Sequence, residues 1–209
     1  GQSMVKESYI NPYSTFLTNS LGTLNILEIT RNLKQRCNLI IITSDKVYEN
    51  KEWLWGYREI DHLGGNDPYS ASKAMAELGI KSYLKTFDYK KNGVRISIAR
   101  AGNVIGGGDW SKDRLIPDLI RSLQSGEILT IRSPKATRPW QHVFDPINGY
   151  LLLRKKIYGT NKYNGSWNFG PDVRHVTVKN VISKLIKILN INKKINIKFD
   201  KKIKETGLL

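Results

Sequence analysis

The sequence predicts an α/β protein built on a parallel, doubly wound sheet. Segments of helical period alternate with short, continuously apolar segments of the kind that form strands buried on both faces. The strand–helix–strand order then favours parallel pairing with crossover helices. The size fits: 209 residues, 40% of them apolar, can fill one large domain or two small ones and exclude a wholly disordered chain.

Asn11-Pro12 opens the first helical stretch, with Phe16, Leu17, Leu21, Leu24 and Leu27 at three- and four-residue spacing, ending near Gln35. Asn38 to Ser44 reads as a buried strand, followed by a polar, aromatic loop to Pro68. A helix over about Tyr69–Phe87 and, after Gly93, a strand over Val94–Arg100 continue the alternation. Beyond Ala101 come a glycine-rich loop, a helix near Leu115–Leu123, a strand over Ile128–Arg132 and the arm 137–142. A helix from Asp145 or Pro146 to about Tyr158, a strand around Trp167–Phe169, a helix over Val178–Leu189 and a strand near Ile195–Phe199 complete the series.

The formal charge is +16, and 34 basic against 18 acidic residues invites a nucleic-acid reading. The distribution argues against it. From Leu151 onward 14 basic residues face 3 acidic ones, scattered singly or in pairs, and lysine outnumbers arginine 23 to 11. Arginine is the better bidentate phosphate reader, so the balance describes a solvated lysine-rich surface, with a role in drawing in anionic substrates as a further use. The lone Cys37 can form neither an intrachain disulfide nor a multi-cysteine zinc site and fits a reducing, cytoplasmic setting. No apolar run approaches the roughly 20 residues that cross a bilayer, and residues 1–9 lack the apolar core of a secretion signal. His62, His142 and His175 are far apart in sequence, so no metal site is expected. None of the 17 glycines falls into the G-x-G-x-x-G spacing of a dinucleotide-binding turn, which leaves either a different fold or a chain without its first strands.

Three groups of residues could carry chemistry. Tyr69 and Lys73 lie at i and i+4, where an ammonium can lower a phenol's pKa and make it a usable base. The spacing alone is weak, since Tyr158 and Lys162 repeat it across Gly159. Tyr69 differs in having Pro68 before it and small residues between. Thr43-Ser44-Asp45-Lys46 follows the first strand, where ligands gather in open α/β sheets. It could orient a hydroxyl, donate a proton and accept one, or simply be a capping turn. Asn103, the glycines 106–108, Arg114, Arg132 and Arg138 could clamp a diphosphate, or be a turn with surface arginines. Trp53 and Trp55 could stack on a ligand.

Taken together, Thr43-Ser44-Asp45-Lys46, Tyr48-Glu49-Asn50, Glu52-Trp53, Trp55 to Glu59, Asp67 to Lys73, Ala99 to Trp110, Asp113 to Asp118 and Arg138 to Val143 resemble the extended short-chain dehydrogenase/reductase family. Within it they are similar to the nucleotide-sugar 4,6-dehydratases, and Lys46, where most members have glutamate, to their CDP-glucose branch. Thr18-Asn19 and Gly22-Thr23 extend the match toward the N-terminus.

The resemblance implies a Rossmann-like nucleotide-binding sheet, here partial, with NAD as cofactor and CDP-glucose as substrate. Residues 1–103 would form an incomplete NAD-binding domain, 104–135 a substrate-binding segment, 136–170 a return to the first domain, and 171–209 an incomplete substrate-binding region. Tyr69 would accept the proton of the sugar 4-hydroxyl as hydride passes to NAD, Lys73 would hold the nicotinamide ribose, and Ser44 would hydrogen-bond the reacting hydroxyl. Lys46 would take the C5 proton, Asp45 would protonate the departing 6-hydroxyl, and hydride would return to C6. Asn103, Arg114, Arg132 and Arg138 would contact the substrate. By analogy with relatives that dimerise through the helix bearing Tyr69, the resemblance implies a homodimer; the charge distribution and the lack of a long apolar run speak for neither a nucleic-acid nor a membrane partner. A 4-epimerase or reductase of the same family shares Tyr69 and Lys73 but does not need the couple at 45–46. A non-catalytic basic binding protein is the alternative outside enzymes.

Overall fold

A computed structural model describes residues 1–131, 133–172, 176–190 and 197–199. The chain divides into two compact units, residues 1–51, 57–102 and 144–170 in the first and 52–56, 103–143 and 171–209 in the second.

In the first unit, α1 (Val5–Ile10) precedes the expected helical start, and α2 (Pro12–Phe16) begins with Pro12, whose missing N–H costs nothing there. A π-helical turn over Leu17–Leu21 leads into α3 (Gly22–Arg31), so the stretch anticipated as one helix ends four residues early and carries a bulge. That bulge turns Asn19 and Ser20 inward, where both side chains bond Ser72. After α3 comes β1 (Cys37–Ile42), a 3-10 turn at Asp45–Val47, and α4 (Pro68–Thr86). Asp67 caps α4: its Oδ1 accepts the Ser70 N–H at 2.9 Å and its Oδ2 the Ser70 hydroxyl at 2.6 Å. Gly65 lies so close to this helix start that a Cβ would stand 2.3 Å from the Ala71 nitrogen.

Next come β2 (Val94–Ala101), β3 (Val104–Ile105), α5 (Leu115–Ser125), β4 (Leu129–Ile131) and β5 (Gln141–His142). They are followed by α6 (Phe144–Ile157), β6 (Gly165–Phe169), α7 (Val178–Ile188) and β7 (Ile197–Phe199).

The first unit's sheet is parallel in the order β1-β2-β6, with Cys37 opposite Val94 and Ser97 opposite Gly165. On one face Val94, Ile96 and Ile98 project at the strand period of two into a cluster with Leu27 of α3 and Ile80 of α4. On the other face α6 packs against β1 and β2 and buries Leu153 and Ile157. β1 corrects one expectation. Its apolar run predicts a strand buried on both faces, yet its residues are half-buried and Ile42 is exposed, because its outer edge has no strand partner among the described residues.

The second unit holds two parallel ladders, β3 with β5 and β4 with β7. Leu119 of α5, Leu129 and Ile131 of β4, and Ile182 of α7 form its core. The β3–β5 ladder escaped the sequence reading, since two residues per strand are too few to show a period. Gly106 follows it, where a Cβ would come within 2.6 Å of Val143 Cγ1. The chain rejoins the first unit at Phe144.

Candidate active site

The candidate chemistry of the first unit gathers at the carboxyl end of β1. The Thr43 N–H donates to Ala99 O at 2.9 Å and extends the ladder by one rung. Ser44 is extended and buried, and its Oγ accepts the Lys46 N–H at 3.2 Å, capping the 3-10 turn. The same hydroxyl donates to Asp45 Oδ1 at 3.0 Å. Val47 and Tyr48 are buried in one cluster with Ala74, so the turn bearing Asp45 and Lys46 packs on α4 next to Lys73.

Tyr69 and Lys73 occupy one side of α4 at i and i+4. Tyr69 is buried, and Lys73 is half-buried with its Nζ 3.5 Å from the carbonyl oxygen of Ile42. Desolvation by burial pulls the Lys73 ammonium below the usual lysine range. The backbone here is pinned from α4's other neighbours: Ser72 Oγ donates to Tyr69 O at 2.7 Å, Asn19 Nδ2 donates to Ser72 Oγ at 3.0 Å, and Ser20 Oγ donates to Ser72 O at 2.8 Å. The second Tyr–Lys spacing is different in kind. Tyr158 is exposed just past α6, and Lys162 lies over the Tyr163 ring.

Four residues with no individual role in the sequence analysis, Thr43, Tyr48, Glu77 and Arg100, form a buried network behind this region. Thr43, grouped with Ser44 to Lys46, instead turns its hydroxyl inward and donates to Glu77 Oε1 at 2.6 Å. Glu77 is fully buried and paired with the equally buried Arg100, whose Nε donates to Oε1 at 2.9 Å and whose Nη2 donates to Oε2 at 2.5 Å. Arg100 Nη1 donates to the Tyr48 hydroxyl at 2.6 Å and to Glu59 O at 3.2 Å. Burial works against the guanidinium's charge, but Glu77 and Tyr48 outweigh it and hold its pKa above the usual value. Burial raises the Tyr48 phenol despite Arg100 beside it. One signal was available: Glu77 continues the stripe of Tyr69 and Lys73 by another four residues.

In the second unit, Asn103 follows β2 and its carbonyl accepts the Gln141 N–H at 3.0 Å. Arg114 Nη1 donates to Asp109 Oδ2 at 2.9 Å. Burial would raise the Asp109 carboxyl, but hydrogen bonds from Ser111 and the Arg114 guanidinium prevail and hold it below the usual range. Arg121 ties the same loop to α5, donating to Trp110 O at 2.8 Å and Ser111 O at 3.0 Å. Arg138 is buried and its Nη1 donates to Thr137 O at 2.7 Å. Arg132 and His175 lie outside the described residues. Trp53 and Trp55 pack ring to ring with centroids 5.2 Å apart, Trp55 being exposed. Among the described residues no three His, Cys, Asp or Glu side chains gather as a metal site, and no helix is long and apolar enough to cross a membrane.

A parallel sheet with a Tyr–Lys helix packed against its central strand β2 is the arrangement from which the class follows. Residues 1–170 match the model of the NAD dependent epimerase/dehydratase family, and the chain belongs to that family. Among characterised relatives, it is 44% identical over 191 residues to CDP-glucose 4,6-dehydratase of Salmonella typhimurium, covering 88% of this chain and 53% of that protein. It is 31% identical over 150 residues to UDP-glucuronic acid decarboxylase 1 of Danio rerio, covering 68% and 34%. Among solved structures, DesIV, a dTDP-glucose 4,6-dehydratase from Streptomyces venezuelae with NAD and TYD bound, shares the fold with a TM-score of 0.80. It is 23% identical, with 97% of this chain and 59% of that one covered. The UDP-glucuronic acid 4-epimerase of Bacillus cereus gives a TM-score of 0.81 at 24% identity, covering 99% and 62%. The chain thus spans about half the length of the 44%-identical relative.

Proposed function

We propose that this chain carries the catalytic residues of a nucleotide-sugar 4,6-dehydratase acting on CDP-glucose. The observation that carries the reading is the seating of the Ser44–Lys46 turn on α4 beside Lys73, which joins an acid–amine couple to a Tyr–Lys pair. A C4 oxidation needs only the pair. Elimination of water across C5 and C6 needs the couple as well. The 44%-identical relative is named for this reaction, and Lys46, standing where the resemblance puts glutamate in most 4,6-dehydratases, supports CDP-glucose over other nucleotide sugars.

In this reading Tyr69 takes the proton from the sugar 4-hydroxyl, with Lys73 lending positive charge beside it, while Ser44 Oγ hydrogen-bonds the reacting oxygen. Once carbon 4 is a ketone the C5 proton is acidic, and Lys46 removes it. Asp45 protonates the 6-hydroxyl, which leaves as water. The sum is loss of one water with carbon 4 oxidised and carbon 6 reduced. The donors at the end of β1 suit the ribose of NAD: a half-buried ammonium and a phenol on one helix side. When bound, NAD would supply the acceptor and donor of hydride. Asn103, Arg114, Arg132 and Arg138 are proposed to hold the nucleotide diphosphate or sugar.

The glycine turn for the NAD pyrophosphate is not in this sequence. The half-buried apolar residues of β1 support pairing of that edge with strands supplied by sequence outside these 209 residues. On that reading, these residues alone have negligible NAD affinity, and tight, saturable binding by calorimetry would refute it. The exposed Met75 and Leu78 of α4, with Ile26 and Ile29 of α3, support a homodimer formed through these helices, and the lone cysteine a cytoplasmic setting. The activity test is incubation of the full-length enzyme with CDP-glucose and NAD. A 4-keto-6-deoxy product absorbing in alkali is expected. A C4 epimer without loss of water would make the protein an epimerase instead.

A further inference from the structure

The buried pair Glu77–Arg100 has no part in the chemistry above, yet it touches the residues on both sides of the turn that does. Thr43, immediately before Ser44, donates its hydroxyl to Glu77 at 2.6 Å. Tyr48, immediately after Val47, accepts from Arg100 at 2.6 Å, and the Arg100 guanidinium also lies 4.8 Å from the centre of its ring. The turn between them is held locally by the Lys46 N–H on Ser44 Oγ, the Ser44 hydroxyl on Asp45 Oδ1, the Val47 N–H on Ser44 O at 3.3 Å, the Gly64 N–H on Val47 O at 2.8 Å and the burial of Val47; the holds at Thr43 and Tyr48 are the ones that tie its two ends to the buried pair.

We infer that Glu77 and Arg100 are positioning residues which grip the Ser44–Val47 turn at its two ends and fix it against the helix side bearing Tyr69 and Lys73. The pair suits the task. Glu77 lies one helical turn beyond Lys73, so it ties the Thr43 end of the turn to the helix that bears Tyr69 and Lys73, while Arg100 ties the Tyr48 end to β2. Its two-point fork to Arg100 fixes orientation as well as distance. The rest of the network is tied down too. Tyr48 donates to Asn168 Oδ1 at 2.6 Å, and the Asn168 N–H donates to Glu59 Oε1 at 2.9 Å, so the grip extends to β6. The Tyr48 ring stacks on Tyr57 at 4.9 Å. A misplacement of about 1 Å in a catalytic group can cost on the order of a hundredfold in rate, which gives such a grip a use beyond stability.

This inference rests on the dehydratase reading for its kinetic consequences but not for its structural ones, and the test separates the two. Thr43→Val and Tyr48→Phe each remove one hydroxyl and leave the ion pair in place, so the full-length enzyme should fold. Hydrogen exchange of the Lys46 and Val47 amides needs no substrate. Each variant is expected to exchange these amides about tenfold faster or more, with the α4 amides unchanged. With CDP-glucose, kcat is expected to fall about tenfold or more with KM nearly constant, and undehydrated 4-keto sugar to build up together with an equal amount of NADH, up to the amount of enzyme-bound NAD, because the turn carries the elimination couple. Thr43→Ser, which keeps the hydroxyl, should restore both readouts. Unchanged exchange at Lys46 and Val47 would overturn the inference whatever the enzyme's substrate. So would a wild-type kcat in variants of an enzyme that does dehydrate CDP-glucose. A wild-type enzyme that leaves CDP-glucose untouched, with faster exchange in the variants, would overturn the function and keep the grip.

Discussion

The Lys73 ammonium reaches the carbonyl oxygen of Ile42 at 3.5 Å, joining the helix that bears Tyr69 to the last residue of the strand that leads into Ser44. Two segments 31 residues apart in sequence meet there, at one end of the sheet.

Tyr69→Phe removes the proposed base and keeps the buried ring. Turnover of CDP-glucose by the full-length enzyme is expected to fall about 10²- to 10⁴-fold, with thermal stability little changed. Steady-state kinetics beside a melting curve check both halves.

Lys73→Met is expected to abolish turnover without loss of stability, because a partly desolvated ammonium opposes folding. Its pKa in the fold lies below the ordinary lysine value. Between the two values the unfolded chain binds the proton that the native one has released, so wild-type stability gains as pH rises through that window. The gain should vanish in Lys73→Met. Denaturant titrations at neutral and alkaline pH would show the difference.

Glu77→Gln leaves the Arg100 charge buried with a weakened partner. Breaking a buried pair from one side costs about 3–5 kcal/mol, so this variant should be far less stable than Thr43→Val. Urea unfolding of the two variants compares them directly.

Arg114→Ala should act on substrate affinity. Arg114 and Asp109 are partly exposed, so their ion pair contributes at most about 1 kcal/mol to stability. Loss of a diphosphate contact is expected to raise KM about tenfold or more, with the melting temperature nearly unmoved. Isothermal titration with CDP would report the same loss.

Most of the fold was legible because its elements are long enough to show a period. α4, β2 and α5 fall within two residues of where apolar spacing places them. The π turn was not legible, since one extra residue per turn leaves the spacing of Leu17, Leu21 and Leu24 unchanged to the eye. Neither was the exposure of β1: an apolar run says which strand wants burial, not whether a neighbour covers it. Of the candidate site, Ser44, Asp45, Lys46, Tyr69 and Lys73 stand out in the sequence because their types and spacings suggest chemistry. Glu77 and Arg100 do not. A charge in the middle of a helix or strand usually reads as solvent-facing, and only the fold reveals that these two face each other across 23 residues of sequence. Nor does the sequence show that Thr43 turns its hydroxyl to Glu77, away from that of Ser44, as strand alternation sends successive side chains to opposite faces.

The most direct test follows one hydrogen. The full-length enzyme, given NAD and CDP-glucose carrying deuterium at C4, should yield a sugar lighter by one water, with a ketone at C4 and the deuterium at C6. Deuterium retained at C4 in a product that has lost no water would contradict the account.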